Sequence, residues 1–340
     1  MEVKKIIKKL VSKNDLTGQE VFAFMEDVAQ EKVTPAQIGA FLTALAMKGE
    51  TAEEIFSLSQ FIYKNALQIG PFEKALDIHG TGSDGSGSFN ISSTTIFVVA
   101  AGGVVIAKHG NRSSSGSSGA ADVLEVLGVN INLEPKQAEE CVKKIGIGFM
   151  FAQKFHPKLK PIVGPRKEVG IKTIFNKAFP LVSPANVKNH FLGITDWQLA
   201  PLFAEVLKKQ GCKRFMLIHG QDPMDEVSIS SPTDIYEYVD SKERQYSIQP
   251  EDFGFNKYPL SQIQGGTPKE NAEITKRILS NTETGSKREI ILLNSAASFI
   301  IAGKTNDWQE GIKLADEIIT SGKALQKLQE LVKLSNSFTK

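Results

Sequence analysis

Val3, Ile6, Ile7, Leu10 and Val11 recur at helical spacing with Lys4, Lys5, Lys8 and Lys9 between them, which predicts an amphipathic helix with a solvated basic side. The lysines interrupt any apolar stretch, so this segment reads as a packed helix rather than a signal peptide or a membrane anchor. Three further helix starts follow at short intervals. Thr17 with Glu20 forms a capping box ahead of Val21, Phe24, Met25 and Val28. Thr34, Pro35 and Gln37 open a helix carrying Ile38, Phe41, Leu42 and Leu45, with proline at the first turn, where its missing N–H costs nothing. Thr51 with Glu54 opens the fourth. Four helices within about seventy residues predict a bundle-like lobe.

From Leu76 the pattern changes to strand, glycine loop, helix, strand. Strands are expected at 76–79, 104–108, 148–152, 191–195 and 215–219, and helices at 91–101, 197–210, 268–279, 288–302 and 307–334. Such alternation favours a parallel sheet covered by helices. The fold class expected is therefore α/β: a small N-terminal helical-bundle domain over 1–70, joined by part of 161–190, and a larger α/β domain with a mainly parallel sheet over 71–340. The stretch 161–184 is the least regular in the chain.

Composition narrows the function classes. With 340 residues the chain is long enough for two domains with full cores. Its 40 Lys and Arg against 38 Asp and Glu leave a net charge of +2, which argues against non-specific nucleic-acid or membrane binding. Cys141 and Cys212 are too few for a disulfide framework and lack metal-ribbon spacing, so a reducing cytoplasm is expected. No apolar run reaches the roughly 18 residues that span a bilayer.

The densest chemical signal runs Gly80-Thr81-Gly82-Ser83-Asp84-Gly85-Ser86-Gly87-Ser88-Phe89-Asn90-Ile91-Ser92-Ser93, leaving a strand and entering a helix. Glycines let backbone N–H groups converge on an anion, and Ser and Asn add side-chain donors. Gly80, Gly82 and Gly85 match the dinucleotide fingerprint, but the next strand ends in Lys108-His109 instead of the acid that holds a ribose hydroxyl. A second anion-binding turn is expected at 108–122, where Lys108, His109, Asn111 and Arg112 precede a run of serines and glycines. Both turns leave the carboxyl ends of strands, where open α/β sheets bind ligands, and two of them suggest a ligand with two phosphate groups. Asp225-Glu226, after the strand at 215–219, complements them, because magnesium is held by one or two carboxylates plus substrate phosphates. A basic stretch holds Lys154, Lys158, Lys160, Arg166, Lys167, Lys172 and Lys177. It fits a solvated face, an entry funnel for anions or a nucleic-acid contact. Arg166 is singled out because a guanidinium clamps a carboxylate with two parallel hydrogen bonds.

Together these segments resemble the anthranilate phosphoribosyltransferase family, whose fold is that of the glycosyltransferases shared with pyrimidine nucleoside phosphorylases. The likeness covers nearly the whole chain: the helical lobe, the G-T-G-x-D-G loop at Gly80, F-N-I-S at Phe89, K-H-G-N-R-S at Lys108, A-D-V-L-E at Ala121, F-A-x-x-x-H-P at Phe151, R-K-E-x-G-I-x-T-I-F-N at Arg166 and D-E-V-S at Asp225. The S-G-R-G-L and T-G-G-T-x-D-K signals of the nucleoside phosphorylases are absent. The resemblance implies transfer of the phosphoribosyl group of 5-phosphoribosyl 1-pyrophosphate to the amino group of anthranilate, releasing pyrophosphate, in tryptophan biosynthesis. It further implies a homodimer formed through the helical lobe.

Carried over by position, the resemblance places Gly80, Gly82, Ser83, Asp84, Ser88, Asn90, Ser92, Ser93, Lys108, Asn111, Arg112, Ser115, Gly116 and Ala120 on the donor. It places Gly80, His109, Asn111 and Arg166 on anthranilate, Ser92, Asp225 and Glu226 on Mg²⁺, and His109 and Lys108 at the reacting centre. Three positions depart from the family pattern. Ser83 replaces a glycine of the first loop, Ala120 replaces a serine, and Phe179 stands where a glycine is usual, which implies a reshaped acceptor pocket. The competing expectation is a non-catalytic or altered-acceptor paralogue that binds nucleic acid through its basic stretch.

Overall fold

The computed structural model describes residues 3–82, 84–113, 118–222 and 224–338. In chain order the elements are α1 (Val3–Val11), α2 (Gly18–Ala29), α3 (Pro35–Lys48), α4 (Ala52–Lys64), β1 (Leu76–Gly80), α5 (Ile91–Ala101), β2 (Ile106–Gly110), α6 (Ala120–Val126), α7 (Pro135–Ile145) and β3 (Ile147–Phe151). There follow α8 (Ala152–Phe155), α9 (Lys160–Val169), α10 (Ile174–Ala178), β4 (Asn189–Gly193), α11 (Ala200–Lys209), β5 (Arg214–Gly220), β6 (Thr233–Val239) and β7 (Lys242–Ile248). The chain closes with α12 (Pro268–Leu279), α13 (Ser286–Ile301), α14 (Trp308–Thr320) and α15 (Lys323–Asn336). Two compact units emerge: a helical one of 1–68, 155–184 and 201–211, and an α/β one of the remaining residues.

In the helical unit all three expected helix starts form, each with a capping box, at Thr17 with Glu20, Thr34 with Gln37 and Thr51 with Glu54. Each satisfies two backbone donors that a helix start leaves open. Glu54 does more than cap. It is fully buried, and its carboxylate accepts from the N–H groups of Leu16 (2.8 Å) and Thr51 (2.9 Å) and from Lys48 Nζ (3.0 Å). The stretch 161–184, irregular by sequence, is largely helical here, because Pro161 lies in the first turn of α9, where proline is harmless. Gly170, at φ 67°, ends that helix in a left-handed turn.

The α/β unit is built on one seven-stranded sheet in the order β3-β2-β1-β4-β5-β6-β7. The five strands from β3 to β5 are parallel, as expected, and each lies within about two residues of its expected position. The antiparallel hairpin β6–β7 was not foreseen. It turns on Asp240 and Ser241, both at positive φ (48° and 69°), a two-residue turn that its Asp-Ser sequence does not advertise as Asn-Gly would. The single helix expected at 307–334 is two, because Gly322 takes φ 76° and breaks the run between α14 and α15. Helix α5 is buried over almost its whole length and packs on the sheet, which sets its N-terminus beside the loop leaving β1.

From β1 the chain winds outward through β2 to β3, then returns to place β4 on the other side of β1. That reversal makes the β1–β4 pair the switch point of the sheet, and ligands of open α/β sheets gather at the carboxyl ends of such strands.

Candidate active site

Gly80 ends β1 and Gly193 ends β4, and the two are register partners. The Asp225 main chain passes directly over them. A Cβ on Gly193 would stand 1.7 Å from the Asp225 carbonyl oxygen, and one on Gly80 would stand 2.2 Å from Asp225 Oδ2. Only the bare backbone at both positions admits the acid. Asp225 Oδ2 then accepts the Gly82 N–H at 2.6 Å, so the acid holds the first glycine turn. Its neighbour Glu226 reaches the start of α5, where one carboxylate oxygen accepts the Ser92 N–H at 3.0 Å and the Ser92 hydroxyl at 2.5 Å. The positive end of a helix suits that carboxylate.

Both acids are buried, and burial raises both pKa values. Asp225 is raised further by the nearby charge of Asp84, and Glu226 is pushed up to about 8, with the Asp225 charge adding to burial. Three carboxylates gathered this closely call for a cation. Lys108 supplies part of that charge: burial lowers its pKa, while Asp77, Glu226 and Asp225 act in the opposite sense. Its ammonium donates to the Ile78 carbonyl at 2.5 Å. The all-oxygen set of Asp225, Glu226 and the Ser92 hydroxyl matches what magnesium prefers.

The first loop is shaped by its own side chains. Asp84 accepts from the Ser86 N–H (3.1 Å) and hydroxyl (2.7 Å), and Ser88 pairs with Gln264 in an isolated bridge. Asn90 links the two turns: its amide donates to the Ser118 carbonyl (3.0 Å), while its Oδ1 accepts from the Ser118 hydroxyl (2.9 Å) and from Asn271 Nδ2 (2.8 Å). Ser93 is buried one residue further on.

The second turn closes on Asp122. Its Oδ2 accepts the N–H groups of Ser113 (3.0 Å) and Gly119 (2.9 Å), and its Oδ1 takes Arg112 at 2.8 Å. Arg112 also pairs with Glu125 and lies 5.6 Å from the centre of the Phe151 ring. Asn111 is exposed, with Oδ1 accepting the Arg112 N–H, and Ala120 begins α6 against Gly110. His109 is buried on β2, and its backbone N–H donates to Asp77 Oδ1 at 3.3 Å. The expected donor residues Ser83, Ser115 and Gly116 lie outside the described residues.

Arg166 belongs to the helical unit. It lies on α9 with its guanidinium carbon 5.0 Å from the centre of the Phe175 ring and one nitrogen 3.3 Å from Asn176 Oδ1. Burial lowers its pKa. In the same unit the Phe179 ring meets His156 edge-on at 5.4 Å and Phe175 at 5.9 Å. The basic stretch is partly neutralised: Lys154 pairs with Glu134 at 2.6 Å and Lys177 with Glu50 at 2.5 Å, while Lys158 donates to Asn65. Gly193, Ser118, Asn271 and Asp122 carry as much of the site geometry as the residues the motifs singled out. Of these, Ser118 and Asp122 lay within the segment 108–122 read for chemistry, and Gly193 and Asn271 lay outside every such segment.

Two buried acids, one holding the first glycine-rich turn and the other the start of α5, at the switch point of a parallel sheet define a glycosyltransferase of the two-domain kind, and the chain matches the models described as glycosyl transferase family, helical bundle domain, over residues 4–66 and a/b domain over 73–325. Over 99% of its length it is 47% identical to 97% of an anthranilate phosphoribosyltransferase from Acetivibrio thermocellus. Crystal structures of anthranilate phosphoribosyltransferases superpose with TM-scores of 0.91 for the Thermus thermophilus enzyme (34% identity, 97% of this chain and 99% of that one) and 0.90 for the Saccharomyces cerevisiae enzyme in complex with PRPP and Mg (28% identity, 99% and 98%). The chain belongs to the anthranilate phosphoribosyltransferase family.

Proposed function

We propose that the protein transfers the phosphoribosyl group of 5-phosphoribosyl 1-pyrophosphate to the amino group of anthranilate, releasing pyrophosphate, in tryptophan biosynthesis. The observation that carries this reading is the pairing of Asp225 with the Gly82 N–H and of Glu226 with Ser92, which ties an acid pair to both the glycine turn and the start of α5. Asp225, Glu226 and Ser92 are the residues that would hold magnesium. When bound there, the ion supplies charge neutralisation for the diphosphate.

Substitution at the anomeric carbon passes through an oxocarbenium-like state while negative charge gathers on the leaving pyrophosphate. The chain therefore works mainly by positioning and by holding charge. Beside the glycine turn that leaves β1, Lys108 offers a buried ammonium. No nucleophilic side chain is needed, because the acceptor amine attacks directly. His109 is assigned to the reacting centre, where proton removal from a weakly basic aryl-ammonium is undemanding. Arg166 is assigned to the acceptor carboxylate, with the rings of Phe175 and Phe179 offering the flat apolar surface an aromatic acceptor requires. By family expectation the enzyme works as a homodimer.

The decisive experiment mixes the purified protein with anthranilate, the pyrophosphate donor and Mg²⁺ and follows the loss of anthranilate fluorescence, with the double variant Asp225→Ala, Glu226→Ala alongside. Turnover that disappears in the variant supports the proposal. Donor binding by calorimetry without turnover would mean a different acceptor, and the absence of both binding and turnover would overturn the reading.

A further inference from the structure

Below the glycine turn, on the sheet itself and beside Lys108 and His109, lies a second polar cluster to which no role has been given above. Asp77 and His79 share one face of β1, two residues apart, and His190 on β4 is the register partner of Asp77. Parallel pairing sets the three side chains side by side. One carboxylate oxygen and one nitrogen from each ring all lie within 4.8 Å of one another, and His79 Nε2 is 3.9 Å from Asp77 Oδ2. The two rings meet edge to face with centroids 6.0 Å apart.

The cluster is poorly satisfied as a hydrogen-bonded group. Asp77 Oδ2 and His190 Nδ1 have no hydrogen-bond partner among the described residues, although Asp77 is fully buried and His190 only 2% exposed. At 3.9 Å the approach of His79 to Asp77 is too long for a hydrogen bond. Leaving a buried carboxylate oxygen and a ring nitrogen unpaired costs about 1–3 kcal/mol each, and native proteins rarely accept two such losses side by side.

We propose that Asp77, His79 and His190 form a binding site for a first-row transition-metal ion of the zinc class, distinct from the magnesium acids. The donor chemistry selects the ion: two imidazoles and one carboxylate suit zinc, cobalt, nickel or copper, whereas magnesium seeks oxygen alone. His190 carries a ligand-orienting second contact, a hydrogen bond to the Val187 backbone that fixes its tautomer. The other Asp77 oxygen is already held by the His109 N–H. An ion about 2.0–2.1 Å from each ligand draws the three atoms to roughly 3.4 Å apart, a closing movement of about 1 Å at most. His79 retains 11% side-chain exposure, which gives the ion a way in. Because His79 directly precedes Gly80, an ion bound here would pin β1 to β4 at the base of the donor loop.

The test uses the full chain, dialysed against a chelator and then kept in excess Mg²⁺ so that the acid pair is occupied. Titration with Co²⁺ should produce the visible absorption of a low-symmetry nitrogen-ligated site, saturating at one ion per chain and displaced by Zn²⁺. His190→Asn and, as the variant least disruptive to the core, His79→Gln should each weaken Co²⁺ binding at least about 10-fold, with secondary structure unchanged by circular dichroism. Zn²⁺ should raise the melting temperature of the native chain and not of His79→Gln. Absence of the absorption in the native chain, or Co²⁺ affinity equal in the native chain and His79→Gln, would overturn the proposal.

Discussion

Gly80 and Asp225 are separated by so little space that the smallest possible side chain at Gly80 would place its Cβ 2.2 Å from the Asp225 carboxylate oxygen that accepts the Gly82 N–H. The φ angle at Gly80 is not in the left-handed region, so glycine is required there by proximity rather than by backbone conformation. Gly80→Ala should therefore fold with a modest loss of stability but push Asp225 off the loop. A misplacement of about 1 Å in an active site costs on the order of 100-fold in rate, so on the proposed magnesium-binding role of Asp225 kcat/KM should fall by that much. Gly193→Ala meets main chain rather than side chain, at 1.7 Å from the Asp225 carbonyl. Its cost should appear in folding as well, about 1–3 kcal/mol or more by urea titration.

The acid pair sets a pH signature. Glu226 titrates at 4.5 when unperturbed and at about 8 in the fold, and Asp225 is raised alongside it. A carboxyl whose folded pKa is raised favours the native state below its unfolded value and loses that contribution as pH climbs through the folded value. Stability of the metal-free chain should therefore decline between about pH 4.5 and about pH 8 on this account. On the proposed assignment magnesium would bind the ionised forms, so its stabilising effect should be larger at alkaline pH than near pH 6. Melting temperatures with and without Mg²⁺ at both pH values check the sign, and Glu226→Gln should flatten the difference.

What could be read from the sequence follows the range of the interactions involved. Thr51 with Glu54 announces its helix because the capping bonds are local, and the glycine turns announce themselves because they are contiguous. The break at Gly322 and the hairpin turn at Asp240 and Ser241 are also local, but each is a single residue's choice of left-handed backbone within an otherwise regular pattern. Gly193 and Asn271 could not be read at all. Gly193 matters because a segment more than thirty residues later crosses it, and Asn271 because it reaches Asn90 across 181 positions. Arg166 was legible only as a charge of the right kind, since its setting above Phe175 depends on how α9 meets α10.

Asn271 offers a test of that long-range tether. It is 1% exposed, donates to Asn90 Oδ1 at 2.8 Å and accepts the Gly266 N–H at 2.8 Å. Asn271→Ala removes both bonds and leaves the partly buried Gly266 N–H without its acceptor, a loss of about 1 kcal/mol or more. Because Asn90 also anchors Ser118, the second turn should loosen. The donor KM should rise while the acceptor KM stays near its native value, and amide exchange should quicken between residues 110 and 122.

Arg166 tests the acceptor side. Its guanidinium is partly buried above the Phe175 ring and, among the described residues, has one amide contact, at 3.3 Å to Asn176 Oδ1, which leaves other N–H donors for a carboxylate. Charge-assisted hydrogen bonds of this kind contribute roughly 1.5–3 kcal/mol, so Arg166→Ala should raise the acceptor KM about 10- to 100-fold with little change in the donor KM. Arg166→Lys should restore little, because an ammonium cannot present two parallel donors or stack flat on Phe175. Phe179→Gly separates charge from shape: removing the ring that meets His156 and Phe175 should leave carboxylate recognition in place. It should raise kcat/KM for ring-substituted anthranilates relative to anthranilate itself. Steady-state kinetics with both substrates varied decides the matter, and equal rises in the two KM values for Arg166→Ala would remove Arg166 from the acceptor site.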